Sequence, residues 1–278
     1  MTRLMAILVF FLLALSGSNA MAQQPARPGP GCSGGGAEAE RLHYLAADYS
    51  SGKGGLPYDP EKSARLYKEA IELGSARSAV NLGILYRMMY VMEPNEQEML
   101  QEMNRLFQQA IDMGCSDAYL HLAYSYQQGW GVEESEQKMR EIIQKGVEEG
   151  SFACMSGLAQ ILVSEDKREE AKAWFQRALD GGYGPAVEPY RLLFFGEGDL
   201  EKEVEVQRQG ARLGNHNSLM QLSYLYEDGE RQPKDLEYAA CFKGIADEID
   251  TSHAPPMIDD LDERCPPRPV VPHAKPAK

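Results

Sequence analysis

The feature of this 278-residue chain that most constrains its fold is a pattern of residues that recurs around five glycines. A small residue stands four positions before and four positions after each glycine. Larger apolar or aromatic residues stand seven before, eight after and twelve after, with one exception. The glycines are Gly74, Gly114, Gly150, Gly182 and Gly214. They fall 40, 36, 32 and 32 residues apart, which is the period of stacked helix pairs.

Steps of three and four residues place the members of this pattern on one helical face, and a small residue lets a neighbouring helix approach closely. Each unit is therefore predicted to be a helical hairpin. The predicted fold is all-α, a right-handed α-solenoid of about six stacked helix-turn-helix repeats. Gln207 is the exception at minus seven. Unit five also departs from the repeat with Tyr190 in place of Leu at plus eight and with Arg191 in place of the small residue at plus nine.

The N-terminus has the layout of a cleavable secretory signal, which we place at residues 1–22. Arg3 precedes an apolar run from Leu4 to Leu15, and an Ala-Met-Ala sequence follows. The run is too short to span a bilayer. We therefore expect a mature protein in the periplasm, with no membrane insertion after the signal is cleaved.

Three further segments are predicted from composition. Residues 23–36 form a Pro/Gly-rich linker with nothing to pack against. Residues 37–250 form the solenoid. Residues 251–278 form a tail that is too rich in proline for a helix or a central strand.

The net charge narrows the class of partner. The formal charge is -14, and cleavage of the signal removes Arg3 and no acidic residue, so the mature charge is one unit more negative. Nucleic acid and anionic membrane would be repelled by such a protein. A basic protein surface would be attracted.

The five cysteines leave at least one without a partner in a monomer. Cys154 holds the small plus-four position and is expected to be a buried packing residue. Cys115 lies one unit away from it, beyond easy bridging. Cys32 follows a Pro-Gly run and not an apolar run, so we expect no lipid anchor there.

Cys241 and Cys265 are the predicted disulfide pair. A solenoid exposes an apolar face at its last helix, and Phe242 and Ile245 stand on that helix. The tail supplies Met257, Ile258 and Leu261 close behind. We expect the tail to fold back as a terminal cap, with the alternative of a disordered tail and two free thiols.

The sequence contains no constellation typical of catalysis, and we predict no catalytic, cofactor-binding or metal-binding residues. Its five histidines are scattered, without a spacing that would hold zinc. The acidic runs fall on elbows and outer helix faces, where charged side chains are usually solvated. An enzyme is therefore the third choice, behind two kinds of binding protein.

The same register predicts a protein-binding surface. Residues three, six, ten and thirteen positions after each glycine should lie on the concave side of the solenoid. We call the set selected by this rule the first-helix face. Its candidate binding residues are Arg77, Ile84, Arg87, Asp117, Tyr124, Gln127, Gln160, Glu188, Phe195, Asn217, Tyr224 and Glu227. The rule also selects Val80, Leu120, Ser156, Leu192 and Met220. Aromatic side chains among polar groups are typical of protein interfaces.

The stretch from Ala118 to Val132 reads small-x3-Leu-Ala-x2-Tyr-x2-Gly-x-Gly-Val. This pattern resembles the Sel-one-like repeat, a relative of the tetratricopeptide repeat, and the resemblance covers residues 37 to about 250. It implies a solenoid of helical hairpins, in agreement with the register.

The closing segment resembles a narrower group. Phe242 to Asp250, the Ile-Asp-Asp-Leu-Asp sequence that begins at Ile258 and the prolines at 266–269 are similar to the end of exported Sel-one-like proteins that accompany type VI secretion effectors. The resemblance implies an immunity protein that binds and neutralises a phospholipase effector. The alternative is a general envelope scaffold or regulator.

Overall fold

The computed structural model describes residues 32, 34–53, 55–92, 97–249 and 257–271. Within these residues the chain forms thirteen α-helices, numbered α1 to α13, and one short 3-10 turn at Gly184–Ala186. The helices are Ala37–Ser51, Pro60–Glu72, Ala76–Met92, Gln97–Asp112, Ala118–Gln128, Glu136–Glu148, Phe152–Ser164, Arg168–Asp180, Val187–Glu197, Leu200–Arg212, His216–Asp228, Leu236–Glu248 and Leu261–Arg264. The predicted signal lies outside the described residues.

Consecutive helices pair into six hairpins, which we call units one to six: α1 with α2, then in order to α11 with α12. Each unit packs on the next, and no strand occurs in the described part of the chain. The all-α solenoid fold is therefore confirmed. The residues at minus seven are all buried in these contacts. They are Tyr67, Phe107, Ile143, Phe175 and Gln207.

The recurring glycines end the second helix of a unit. All five have a positive φ, between 72° and 90°, a conformation that residues with a Cβ atom rarely adopt. The residue after each glycine donates its N–H to the carbonyl of the small residue at minus four, as in Ser75 to Ala70 at 3.0 Å and Cys115 to Ala110 at 2.9 Å. This is the Schellman arrangement, which satisfies carbonyls left over at a helix end.

Two of the minus-four residues are glycines because the neighbouring helices are too close for a side chain. A Cβ atom at Gly146 would collide with Cys154 and come within 2.9 Å of the Tyr119 Cβ. A Cβ atom at Gly210 would collide with Ser218 and come within 2.7 Å of the Val187 Cγ2. The small residues in the register are thus explained by close helix approach.

Capping residues start four of the second helices. Asp59, Ser135, Asp199 and Asp235 each accept a hydrogen bond from the backbone N–H three residues ahead. These bonds satisfy donors that have no partner within the helix.

The tail packs against the last unit. Cys241 and Cys265 form a disulfide, and Ile258, Leu261 and Cys265 are buried in the core formed with Phe242 and other residues of the last helices. Met257, in contrast, is 63% exposed and does not help to cover the end. The expectation that the tail holds no helix is wrong for α13, which forms just before the first of the prolines that follow Cys265.

Arginines of α10 hold the tail in place. Arg208 is 7% exposed and donates to the Cys265 carbonyl at 2.7 Å, to the Tyr238 hydroxyl at 2.6 Å and to the Asp262 carboxylate. Arg212 donates to the other Asp262 oxygen at 2.5 Å. Burial raises the pKa of Asp262, but hydrogen bonds from Arg212 and Arg208 outweigh it and leave this pKa below its usual value.

The N-terminal end is attached by a second disulfide, between Cys32 and Cys115, which the sequence did not predict. Cys32 also packs against the core of the first units. Cys32 and Gly34–Gly36 belong to the segment that was expected to have nothing to pack against, so that expectation is wrong for Cys32. Cys154 is the free cysteine among the described residues, and it is buried.

Within the described residues, none of the helices combines the length and the apolar character needed to cross a bilayer.

Candidate protein-binding surface

The structure separates the first-helix face into exposed, half-buried and buried members. The exposed candidates are Gln127, Gln160, Glu188, Phe195, Asn217, Tyr224 and Glu227. The half-buried candidates are Arg77, Ile84, Arg87, Asp117 and Tyr124. Val80, Leu120 and Ser156, which the same spacing selects, are buried and have little surface to offer a partner.

Units three and four bring three candidates together at one cavity. Tyr124, Gln127 and Gln160 line a cavity of about 410 Å³, with Arg140 and Glu136 also in its lining. Burial raises the pKa of Tyr124, opposed by a hydrogen bond with Gln160. The tyrosine is thus already engaged within the protein.

Asp117 lies at the start of α5 and is bonded to the next unit. Its carboxylate accepts a hydrogen bond from the Ser151 hydroxyl at 3.2 Å, and burial raises its pKa. Burial also raises the pKa of Cys154 to about 12, so this thiol stays protonated at neutral pH. This group of side chains links two units and provides no activated nucleophile.

Units five and six present the most exposed apolar side chains of the first-helix face. Leu192, Phe195 and Tyr224 are 49%, 53% and 59% exposed. Two guanidinium groups lie over the Phe195 ring, with the Arg231 carbon 4.9 Å and the Arg191 carbon 5.8 Å from its centre. These contacts hold the ring in place, while about half of the side chain stays open to solvent.

A buried carboxylate fixes both arginines. Glu203, on α10, is 6% exposed. Its oxygens accept from Arg191 at 2.7 Å and from two nitrogens of Arg231 at 2.9 and 2.6 Å. Arg191 also donates to Glu188 at 2.6 and 3.0 Å. Glu203 therefore positions the cations that support Phe195.

Gln207, one turn further along α10, is 4% exposed and has an unsatisfied acceptor. Its amide nitrogen donates to the Gln221 side-chain oxygen at 2.6 Å, while its own carbonyl oxygen has no partner among the described residues. A buried acceptor without a partner costs roughly 1–3 kcal/mol. Gln207 and Gln221 line two adjoining cavities of about 200 and 220 Å³.

The sequence predicted Glu203 to lie in an acidic run on a solvated helix face, and this prediction is wrong, because Glu203 is buried and paired with two arginines. Arg231 was not singled out, and Arg191 and Gln207 were treated only as departures from the repeat. Arg191 and Gln207 belong to the same unit and to the same polar cluster. Two departures within one unit were the available signal, since a polar residue at a buried position needs a partner nearby.

Among the described residues, no group of three or more His, Cys, Asp or Glu side chains is arranged to hold a metal ion. Units five and six thus expose two aromatic side chains, of which Phe195 rests against the arginines of the polar network.

Comparisons with known proteins agree with this architecture. The model of the Sel1 repeat matches residues 42–75, 116–148, 153–183 and 216–240. No curated protein sequence matches the chain.

Similar solved structures have the same fold. A Sel1 repeat protein from Oxalobacter formigenes is 20% identical, with a TM-score of 0.50, over 76% of this chain and 87% of that one. The immunity protein Pa5087 from Pseudomonas aeruginosa is 15% identical, with a TM-score of 0.66, over 86% and 92%. PA5086, also from Pseudomonas aeruginosa, is 17% identical, with a TM-score of 0.67, over 89% and 96%. Four segments of the chain match the Sel1 repeat, and its helical hairpins form a solenoid of that kind.

Proposed function

We propose that this chain is a periplasmic immunity protein that binds and neutralises a type VI secretion phospholipase effector. The observation that carries a binding role is the exposed group Leu192, Phe195 and Tyr224 on one face of units five and six. Monomeric proteins seldom leave several large apolar side chains together in water without a partner for them.

The class of partner follows from charge and fold. The acidic chain would attract a basic protein surface and repel nucleic acid and anionic lipid. The likeness to the immunity protein Pa5087 extends over 86% of this chain, and the closing segment resembles exported proteins that accompany effectors. Both support an effector as the partner, and the phospholipase class is what the resemblance adds.

The periplasmic assignment is supported by the signal-like sequence and by two disulfides. Disulfides persist in oxidising compartments such as the bacterial periplasm and are rare in the cytosol. The Sel1-type solenoid is a protein-interaction scaffold, which supports neutralisation by binding alone.

The proposal predicts a phospholipase effector gene beside the gene for this chain, and the test is co-expression with that gene, with the toxin directed to the periplasm. Cells that make the full chain should survive, and cells that make a form lacking residues 1–22 should die, because the protein would stay in the cytoplasm. Death of cells that export the full chain would refute the immunity proposal and leave a general envelope scaffold as the better reading.

A further inference from the structure

We infer that the groove between units five and six accepts a basic side chain, an arginine or a lysine, from the partner protein. This inference rests on the proposed protein-binding function and names the chemistry of the contact. The groove consists of the two cavities on either side of the Gln207–Gln221 pair.

The groove contains a hydrogen-bond acceptor that has no partner. Gln207 lines both cavities, and its carbonyl oxygen lacks a hydrogen-bond donor. Only an N–H or O–H group can satisfy this atom, so the groove calls for a donor. The exposed Gln221 side chain lies beside Gln207, where it accepts from the Gln207 amide nitrogen at 2.6 Å and donates to Glu188 at 3.5 Å. Gln221 is the side chain that moves aside when a donor enters.

The side chains that line the groove carry a net negative charge. The cavity linings contain three carboxylates, Glu188, Glu203 and Asp228, and two guanidinium groups, Arg191 and Arg231. Both arginines already pair with Glu203, and Arg191 also pairs with Glu188. The remaining negative charge favours a cationic donor over a neutral one.

The shape of the groove suits a long side chain. Tyr224 lines one of the cavities and is 59% exposed, with its ring available at the groove. Arginine and lysine have long apolar stems that pack along such surfaces while the charged head reaches a polar group beyond. A basic side chain can therefore contact the Tyr224 ring and the Gln207 oxygen at the same time.

The experiment uses nuclear magnetic resonance of the folded, isotope-labelled protein and two probes of equal shape. N-acetyl-arginine methylamide is the cationic probe, and N-acetyl-citrulline methylamide is its neutral counterpart. The arginine probe should shift the backbone amide signals of Gln207, Gln221 and Tyr224 in a saturable way. The citrulline probe should bind at least about fivefold more weakly, because a charge-assisted hydrogen bond is stronger.

Two variants test the assignment. Gln207→Leu removes the acceptor and Tyr224→Ala, at an exposed position, removes the ring. Each should weaken binding of the arginine probe at least threefold, which is about 0.65 kcal/mol and within the effect of losing one hydrogen bond or contact. Gln137→Leu, at an exposed glutamine of α6, is the matched control and should bind the probe like the original protein.

Equal binding of the two probes, an absent response, or unchanged binding by both Gln207→Leu and Tyr224→Ala would overturn the inference. The readout requires no effector. The proposal that the groove accepts a basic side chain can therefore be refuted while the immunity function stands, or the reverse.

Discussion

Units three and four and units five and six share one backbone pattern but differ in what they bury and what they expose. In units three and four, Tyr124 is half-buried and engaged with Gln160, and the plus-nine residue Ala123 packs in the core. In unit five, the plus-nine residue is Arg191 and the minus-seven residue is the polar Gln207, and Phe195 of unit five and Tyr224 of unit six face solvent. Residues that follow the pattern pack the solenoid, and the residues that depart from it take part in the polar network of units five and six.

We propose that this difference marks the part of the chain that contacts a partner. Polar residues at core positions cost stability unless they are paired, as Glu203 and Arg191 are. Unit five carries this pair next to the exposed Phe195 ring.

The largest effect is expected from Glu203→Gln. It leaves two guanidinium groups beside a neutral amide, and loss of one member of a buried ion pair costs roughly 3 kcal/mol or more. The free energy of unfolding in urea should fall accordingly. Glu201→Gln, at an exposed carboxylate of the same helix, should leave it nearly unchanged. Equal effects would show that the Glu203 network is not important for stability.

The tail should stabilise the end of unit six. Replacing both Cys241 and Cys265 by alanine opens a loop with a sequence separation of 24 residues. Closing a loop of that length stabilises a protein by about 3 kcal/mol in the chain-entropy model. The thermal melting temperature should drop, and a chain that ends at Thr251 should melt lower still because Ile258 and Leu261 no longer cover the core. An unchanged melting temperature for the shortened chain would contradict the capping role.

Adding a methyl group at a close helix contact should lower the free energy of unfolding by about the same amount in both regions. Gly146→Ala in unit three and Gly210→Ala in unit five each force a methyl group into a packed contact, which costs roughly 1–3 kcal/mol. Gly244→Ala is the control, since a Cβ atom there meets nothing within 4 Å. Alanine at that helical position should stabilise the protein by about 0.5–1 kcal/mol. A large difference between Gly146 and Gly210 would mean that the two regions are not built on the same scaffold.

The last effect concerns the dependence of stability on pH. Burial lowers the pKa of His121 to about 4, with a smaller contribution from Arg87, and the ring stacks on Phe107 with centroids 5.2 Å apart. Between pH 6.5 and about 4 the unfolded chain then binds a proton that the folded chain does not, so stability falls as the pH falls. In His121→Gln, the loss of stability between pH 7 and pH 4.5 should be smaller, measured by urea unfolding at each pH. An identical loss would show that His121 does not contribute.

The register of small and apolar residues predicted the hairpins and the buried rows, because helix packing imposes the same spacing in every unit. The glycine positions followed from the need for a left-handed residue at each helix end. Exposure on the first-helix face was harder to predict. Tyr124 and Tyr224 hold the same position in the repeat, yet one is covered by Gln160 and the other is open.

The repeat register could not predict the partners within the polar network or the second disulfide, although Arg191 and Gln207 marked unit five as unusual. Glu203 pairs with Arg231 across 28 residues, and Cys32 with Cys115 across 83. Neither distance is a multiple of the repeat, so the register holds no information about it. Only the three-dimensional structure brings these residues together.

The most direct test of the account compares the two equivalent tyrosines in binding to the effector by calorimetry. If the partner binds mainly to units five and six, Tyr224→Ala should weaken binding by about 2 kcal/mol, or about 30-fold, with an unchanged melting temperature. Tyr124→Ala should weaken binding less than about threefold and should lower the melting temperature, because its side chain is already engaged. An effect of Tyr124→Ala on affinity as large as that of Tyr224→Ala, or unchanged binding by Tyr224→Ala, would contradict the account.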